Sequence, residues 1–271
     1  MTTREEIHKS VSKKEKHNIL LEKLKKILPK DAADKVMKTI TEEMDIPPKV
    51  ALIGKSGVGK TTTINNLFNV DWHTSDAVTG TTEAQEEIFP IADDSKLIIV
   101  DMPGLGDSIK NDQKFIEIYK RTLPEADVAL YLIQADDDAI GEDVRIIKEI
   151  IQNCGEGIKK KLAIGINKVD LLGNGEGLKW DELVNLPSDG QKILIDEKCA
   201  EIMEQLSNSL GIKMETIAYY SAKKRYRLYD LLNVMIMQSG IKGWKISINP
   251  KDWTELCDPR VRELLQKAKE N

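Results

Sequence analysis

The feature that most constrains this chain is a glycine-rich segment between a strand and a helix. Residues 54–61 follow the pattern Gly-x-x-x-x-Gly-Lys-Thr. An apolar run at 50–53 precedes the segment and is typical of a buried parallel strand, and residues 61–68 suit a helix. Glycines at such a junction let backbone N–H groups turn inward around a phosphate chain, and the helix N-terminus adds partial positive charge. The segment predicts a nucleotide phosphate site rather than a chance glycine turn.

Two side chains in this segment have expected roles beyond backbone shape. Lys60 can reach the β- and γ-phosphates, and Thr61 can offer its hydroxyl to Mg²⁺. We assign Lys60 as a catalytic candidate and Thr61 as a metal ligand. The candidate nucleotide-binding residues of the segment are Gly54, Lys55, Ser56, Gly57, Val58, Gly59, Lys60, Thr61 and Thr62.

A second motif begins at Asp101, which ends the apolar run at 97–100. A carboxylate at the carboxyl end of such a strand lies beside the phosphate loop in a doubly wound sheet. We expect Asp101 to hold Mg²⁺ through a water molecule and Gly104 to donate its N–H to the γ-phosphate. A simple strand-to-turn sequence is the alternative, but the spacing of about 40 residues from the glycine-rich segment favours the functional interpretation.

A threonine-rich segment, residues 78–83, lies between these two motifs. One of its hydroxyls can complete the Mg²⁺ shell and bond the γ-phosphate, and a segment of this kind orders with a triphosphate and loosens after hydrolysis. Thr79, Thr81 and Thr82 compete for the role, and we prefer Thr82, with Thr81 next. A solvated threonine-rich loop is the alternative. The candidate metal ligands are therefore Thr61, Thr82 and Asp101.

A third motif, Asn167 to Asp170, follows the apolar run at 162–166 and predicts recognition of a base. The Asp170 carboxylate can accept from both N1–H and the exocyclic amine of guanine. Adenine offers neither donor in that arrangement and would leave a buried anion unpaired, so the site can discriminate strongly. We expect Lys168 to lie along the base and to brace the phosphate loop.

A fourth motif, Ser221, Ala222 and Lys223, follows the last predicted strand. We expect the Ala222 N–H to bond O6 of guanine. Three residues of this kind are a weak signal alone, but their position behind a strand and downstream of Asp170 makes them candidate nucleotide-binding residues.

The rest of the chain predicts an α/β fold with a mostly parallel, six-stranded sheet and helices on both faces. The strand at 85–91 alternates polar and apolar residues, so we expect an antiparallel edge strand there. The predicted strands are 49–53, 85–91, 96–101, 127–134, 161–166 and 214–220. The predicted helices are 60–68, 112–121, 141–152, 191–209 and 226–238.

We divide the chain into an N-terminal helical segment (1–46), a nucleotide-binding domain (47–240) and a C-terminal helical tail (241–271). In the first segment, Asp31 can cap a helix whose apolar face carries Val36, Met37, Ile40 and Met44. Residues 171–191 are rich in Gly, Asn, Asp and Glu, which indicates a long and mobile loop.

Taken in order, these motifs resemble the signature segments of the GTPase superfamily over about residues 49–238. The Gly-Thr-Thr-Glu segment at 80–83 and the Asp-Met-Pro-Gly-Leu-Gly segment at 101–106 resemble the TrmE–Era–septin-like branch. Within it, residues 122–137 are similar to bacterial ribosome-binding-type and YfjP-like GTPases, and immunity-related GTPases of animals form a related group. The resemblance implies a P-loop GTPase domain that binds GTP and GDP with Mg²⁺ and hydrolyses GTP as a molecular switch.

Two positions depart from better-known patterns. Leu105 stands where Ras-like enzymes have a water-orienting Gln, so we expect slow intrinsic turnover and water oriented by another residue, a partner or a second copy. Gly57 stands where potassium-activated members carry Asn, so we expect no potassium acceleration. The sequence does not choose among candidate arginine fingers at Arg121, Arg145 and Arg225.

Composition bounds the partners and the location. The formal net charge of -5 gives no global reason to expect nucleic-acid binding, although basic runs at 159–161 and 223–225 leave ribosome or RNA contact open. No apolar run approaches the ~20 residues of a membrane span, and we expect the cytoplasm. Besides a switch with a protein effector, a GTP-dependent homodimer that serves as an assembly or scaffold module is the second hypothesis.

Overall fold

The structure is a computed structural model, and it describes residues 22, 25–26, 29–72, 84–92, 95–103, 109–136 and 139–239. The predicted C-terminal tail (241–271) and most of the N-terminal segment before residue 29 lie outside the described residues. The boundaries of the three predicted segments therefore stay predictions. Among the helices within the described ranges, none is long and apolar enough to cross a bilayer.

The central sheet is built from β1 (Lys49–Gly54), β2 (Gln85–Ala92), β3 (Ser95–Asp101), β4 (Val128–Gln134), β5 (Leu162–Asn167) and β8 (Ile217–Tyr219). Its strand order is β2-β3-β1-β4-β5-β8, and it is parallel except for β2, which pairs antiparallel with β3 at one edge. This confirms the predicted α/β fold and its antiparallel edge strand. A separate antiparallel ribbon pairs β6 (Trp180–Asp181) with β7 (Leu186–Pro187).

The α-helices are α1 (Lys30–Asp45), α2 (Lys60–Phe68), α3 (Ile109–Thr122), α4 (Ile140–Cys154), α5 (Asp189–Leu210) and α6 (Leu228–Gln238). Short 3₁₀ turns lie at Leu123–Glu125, Glu156–Lys160, Val169–Leu171, Asn174–Glu176 and Met214–Thr216. The predicted helices therefore exist, and most differ from the observed bounds by one to three residues, as expected for ends set by caps and not by apolar spacing.

Two apolar layers cover the two faces of the sheet, because alternate residues of each buried strand point to opposite sides. On one face, β1 residues Ala51 and Ile53 pack with the layer that contains α3, α4 and α5. On the other face, Val50 and Leu52 pack with the layer that contains α2 and α6. Helices on both faces leave the carboxyl ends of the parallel strands at one edge, which is where such folds bind ligands.

Two regions differ from the sequence-based prediction. The predicted strand at 214–220 is shortened to Ile217–Tyr219, because the preceding residues form a 3₁₀ turn in which Met214 is exposed. The predicted mobile loop at 171–191 instead contains the 3₁₀ turn Asn174–Glu176, the β6–β7 ribbon and the start of α5. Trp180 is buried there, and apolar burial of one large side chain orders a segment whose polar composition alone indicated a loop.

Helix α1 also departs in detail from the predicted amphipathic helix. It begins at Lys30, so Asp31 lies in the first turn and does not cap the helix. Ala33 is buried, whereas Val36, expected on the apolar face, is exposed. The side chains of Met37, Ile40 and Met44 lie outside the described residues.

Candidate nucleotide-binding site

The phosphate end of the candidate site, residues 54–62 with Asp101, is shaped mainly by backbone geometry. Gly57 and Gly59 have φ values of 73° and 96°, in the region that favours glycine. Gly59 is also the N-cap of α2, and Thr63 returns its N–H and its hydroxyl to the Gly59 carbonyl at 2.9 and 2.8 Å. The loop therefore runs into a helix N-terminus, a position whose N–H groups and partial positive charge suit an anion.

Lys60 lies within this curve. Its ammonium donates to the carbonyl oxygens of Gly54 at 3.0 Å and Lys55 at 3.3 Å. The side chain therefore folds back over the loop that it follows. Ser56 and Thr62 are exposed, and Val58 is buried beneath the loop.

Lys55 points away from the loop and toward α4. Its ammonium lies 3.0 Å from Asp143 Oδ2 and 3.1 Å from Glu142 Oε2. Asp143 is 1% exposed, and its Oδ1 accepts a hydrogen bond from the buried Tyr131 hydroxyl at 2.9 Å. Burial, and then the neighbouring Asp143 carboxylate, raise the pKa of Tyr131. Lys55, expected to bind nucleotide, thus has a side chain that ties the loop to β4 and α4.

Asp101 ends β3 beside Leu52 of β1, and it is 3% exposed. Its Oδ1 atom is buried and accepts no hydrogen bond, although the residue makes other interactions. A buried carboxylate oxygen at this edge fits a hard divalent cation such as Mg²⁺, as does the Thr61 hydroxyl in the first turn of α2. The other two predicted phosphate-sensing residues, Thr82 and Gly104, lie outside the described residues.

Hydrogen bonds to neighbouring elements fix the two residues that follow Asp101. The Met102 N–H donates to the Leu52 carbonyl at 3.0 Å, and the buried Tyr119 hydroxyl of α3 donates to the Pro103 carbonyl at 2.8 Å. Both residues that follow Asp101 are therefore fixed from two elements. No sequence motif points to Tyr119, because its partner is a backbone carbonyl 16 residues away.

The base end of the site, residues 167–170 and 221–224, depends on buried side chains. Asp170 is 6% exposed, and its Oδ1 accepts from the Ser221 hydroxyl at 2.6 Å. The Ser221 oxygen in turn accepts from the Lys224 N–H at 3.1 Å. Ser221 thus orients the carboxylate predicted to read guanine, while Lys223 is exposed.

Asn167 joins the two ends. Its Nδ2 donates to the Val58 carbonyl at 2.9 Å, and its Oδ1 accepts from the Ala222 N–H at 2.9 Å. A Cβ atom on Gly59 would meet Asn167 Nδ2 at 2.5 Å, so the glycine is also needed for this close approach. One amide therefore fixes the phosphate loop against the base end.

These contacts show which protein groups two of the predicted site residues bond, and their predicted roles toward the base stay predictions. The brace on the phosphate loop comes from Asn167, whereas the Lys168 ammonium donates to Gln134 Oε1 at 2.6 Å. The Ala222 N–H, expected to meet O6 of guanine, donates to Asn167 Oδ1. In both cases the sequence motif placed the residue at the site without specifying which neighbour it would bond.

A buried hydrogen bond behind the loop is not signalled by any sequence motif. The hydroxyls of Thr63 and Tyr220 lie 2.8 Å apart, which links α2 to the residue before Ser221. Burial raises the pKa of Tyr220, and its hydrogen bond with Thr63 partly offsets that effect. Because the two residues are 157 positions apart, no local pattern could have paired them.

Known proteins resemble this chain in both sequence and structure. Residues 49–168 match the sequence model of the family described as 50S ribosome-binding GTPase. The uncharacterized protein YfjP of Escherichia coli (strain K12) is 28% identical over 143 residues, which are 53% of this chain and 49% of YfjP. GTPase Era of Aquifex aeolicus (strain VF5) is 34% identical over 128 residues, which are 46% of this chain and 41% of Era.

A solved structure of an Era variant from Aquifex aeolicus, bound to GDP and AlF4⁻, is similar with a TM-score of 0.50 and 26% identity. The similarity covers 70% of this chain and 56% of that one. The chain thus spans about half the length of the relatives that it matches.

The parallel sheet, the loop at its carboxyl edge and the segments at both ends of the site define the class of P-loop nucleotide-binding domains. Within that class, residues 49–168 match the 50S ribosome-binding GTPase family, and the chain is similar to YfjP and to GTPase Era. The predicted resemblance is therefore confirmed.

Proposed function

We propose that this protein binds GTP and hydrolyses it to GDP and phosphate, and that it acts as a molecular switch with slow intrinsic turnover. The observation that carries the proposal is the pair of bonds made by Asn167, to Val58 in the phosphate loop and to Ala222 at the base end. Because Asn167 fixes the base end relative to the phosphate loop, the site suits a nucleotide whose base and phosphates are separated by that fixed distance. The similarity to Era supports guanine as the base.

Guanine selection is assigned to Asp170. Its buried carboxylate is oriented by Ser221, so one oxygen is engaged by the protein while the carboxylate retains capacity to accept from the base. N1–H and the exocyclic amine of guanine are the donors that match it. A base that lacks them would leave the buried charge without compensation, which is the strong form of discrimination.

Phosphate binding is assigned to the loop N–H groups and to Lys60. The ammonium now bonds two loop carbonyls, and those contacts hold it over the concave side of the loop. Asp101 and Thr61, with Thr82 from the sequence, would hold Mg²⁺, which neutralises charge on the phosphates. We also propose that Gly104 donates its N–H to the γ-phosphate.

Slow turnover is proposed because Leu105 offers no polar group to orient water. Within the described residues, two arginines considered as fingers are engaged elsewhere. Arg145 pairs with Glu149 at 3.2 Å, and Arg225 donates to Asn66 Oδ1 at 3.2 and 3.3 Å. We assign the orientation of the water to another residue, a partner or a second copy of the chain, and Arg121 stays a candidate finger.

Calorimetry with GTP, GDP and ATP in the presence of Mg²⁺ tests the binding proposal, with Lys60→Ala as the variant of weakened phosphate binding. We expect GTP and GDP to bind much more tightly than ATP. Single-turnover product formation at low and high protein concentration then tests hydrolysis. Equal uptake of ATP and GTP would refute guanine selection, and fast turnover independent of protein concentration would refute the slow intrinsic rate.

The partner and the location are also proposals. A protein effector that recognises the segments around residues 71–82 and 104–112 fits a switch, and we place the protein in the cytoplasm. Size exclusion with GDP and then with a non-hydrolysable GTP analogue distinguishes this from the assembly hypothesis. A shift to a dimer with the analogue alone would favour a GTP-dependent assembly module, and co-purification with the GTP-locked protein would identify ribosomal or RNA partners.

A further inference from the structure

The β6–β7 ribbon lies between the two halves of the base end in sequence, and its buried residues contact the second half. The Trp180 ring packs edge-on against Tyr226 with 5.3 Å between ring centroids. Its indole N–H donates to Asn185 Oδ1 at 3.1 Å. Trp180 and Asn185 are 7% and 4% exposed, so this small ribbon has a buried core of its own.

Asn185 extends this core to the base end. Its Nδ2 donates to the Lys224 carbonyl at 2.8 Å. The Lys224 N–H donates to Ser221 Oγ, and the Ser221 hydroxyl donates to Asp170 Oδ1. Four consecutive hydrogen bonds thus run from an indole N–H in the ribbon to the carboxylate proposed to read guanine.

The backbone conformation of Asn185 also favours an inward-facing side chain at this position. Its φ is 54°, a left-handed conformation that Asn, Asp and Gly tolerate best. This conformation sits between the exposed Val184 and Leu186, so the chain turns one side chain inward between two that face out. The Lys224 ammonium meets Glu182 Oε1 at 2.5 Å, which gives the ribbon and the base end a second connection.

Resting on the proposed function, we propose that Asn185 is a positioning residue for guanine recognition, and that the β6–β7 ribbon sets the orientation of Asp170 through Lys224 and Ser221. The ribbon fixes the carbonyl of Lys224, and the N–H of the same residue, one peptide unit earlier, donates to the hydroxyl that orients the carboxylate. The Asp170 carboxylate must accept from two donors of guanine at once, so a small rotation of the carboxylate breaks the bond to one donor while the bond to the other remains.

The test compares GDP with inosine diphosphate, which keeps N1–H but lacks the exocyclic amine. Asn185→Asp keeps the left-handed backbone preference and the acceptor for Trp180, but it removes the donor to Lys224. Asn185→Gly keeps the backbone and removes the whole side chain. Leu183→Ser is the matched control, because Leu183 is 86% exposed at the ribbon tip.

We expect the preference of the wild-type protein for GDP over inosine diphosphate to fall about fivefold in both Asn185 variants, the loss typical of one hydrogen bond. Leu183→Ser should keep the wild-type ratio. Trp180→Phe, which keeps a ring against Tyr226 but loses the indole donor, should lower the ratio less and serves if the Asn185 variants fold poorly.

An unchanged ratio in folded Asn185 or Trp180 variants, or equal losses for the two nucleotides, would overturn the positioning role and leave a purely structural one. A wild-type protein that binds ADP as tightly as GDP would instead overturn the proposed function. The two failures are therefore distinguished within one set of titrations.

Discussion

The phosphate end and the base end hold their shapes by different means. At the phosphate end, glycines with positive φ let the backbone curve, and the backbone carbonyls of the loop accept the hydrogen bonds that hold it. At the base end, Asp170, Ser221 and Asn167 are buried side chains that bond one another or distant backbone groups. The shape of the phosphate end depends on glycines, which lack a side chain, and the shape of the base end depends on the polar side-chain atoms of its residues.

This difference determines what substitutions should do. Substituting a glycine at the phosphate end should cause backbone strain and steric clashes. Substituting a buried polar side chain at the base end should leave its partners without hydrogen bonds. Asn167 belongs to both ends, because it contacts the loop that Gly59 terminates and the loop that Ala222 begins. Substitutions near Asn167 should therefore have the largest effects.

The largest effect is expected for Gly59→Ala. The new Cβ atom would lie 2.5 Å from Asn167 Nδ2 while the backbone stays at a φ of 96°. Strain and the displaced Asn167 together should lower stability by roughly 2–4 kcal/mol. Nucleotide binding by calorimetry should fall below detection if the two ends separate, and urea unfolding measures the stability.

Gly57→Ala is the matched control for that substitution. Gly57 has a φ of 73°, but a Cβ atom there has nothing within 4 Å. Only backbone strain remains, so the stability loss should be about 1 kcal/mol. Equal losses at Gly57 and Gly59 would show that the contact with Asn167 does not matter and that strain alone governs this end.

The next largest effect is expected for Asn167→Ala. The substitution leaves the buried Val58 carbonyl and Ala222 N–H without their partner, which should cost about 2–3 kcal/mol. Asn66→Ala is the comparison, because Asn66 contacts the Ala222 carbonyl from a half-buried position on α2. Thermal unfolding of both variants should rank Asn167 above Asn66, and the reverse order would remove Asn167 as the link.

The same difference explains what the sequence could predict. The loop at 54–61 is a local pattern, so its position between β1 and α2 was predicted from adjacent residues. The Asp170–Ser221 bond joins residues 51 apart, and the Asn167–Ala222 bond joins residues 55 apart. Motifs placed these residues at one edge of the sheet, but the choice of partner depends on side-chain geometry that no spacing specifies.

Residues 171–191 show the opposite limit. Their composition favours a loop, yet the structure orders them around Trp180 and begins α5 at Asp189, with Ser188 Oγ accepting from Gln191 N–H at 3.3 Å. The signals were present as a single tryptophan and a serine cap. They were outweighed because the frequent Gly, Asn, Asp and Glu residues of the segment indicate a loop.

A third prediction concerns the ion pair that ties the phosphate end to α4. Lys55→Met keeps the apolar stem but leaves Asp143 buried with Tyr131 and without the ammonium. Because the Lys55 side chain is 23% exposed, we expect a loss of about 1–3 kcal/mol, below the cost of breaking a fully buried pair. Urea unfolding of Lys55→Met, Asp143→Asn and the double variant measures the coupling, and additive losses would contradict a direct interaction.

The smallest effect is expected where an ion pair lies in solvent. On α5, Lys192 donates to Asp196 Oδ2 at 2.6 Å and holds the pKa of Asp196 below its ordinary value, with the Tyr219 hydroxyl as the second cause. A lowered pKa in the folded state gives stability that is present above the unfolded pKa of about 4 and is lost as pH falls through the folded value. Asp196→Asn, which still accepts from Tyr219, should therefore narrow the stability difference between pH 7 and pH 3 only slightly, because solvent screens the pair. If Asp196→Asn changed the free energy of unfolding more than Asp143→Asn does in the same urea titrations, solvent exposure would not distinguish the two ion pairs. The expected order, in which buried contacts contribute more than solvated ones, would then be wrong.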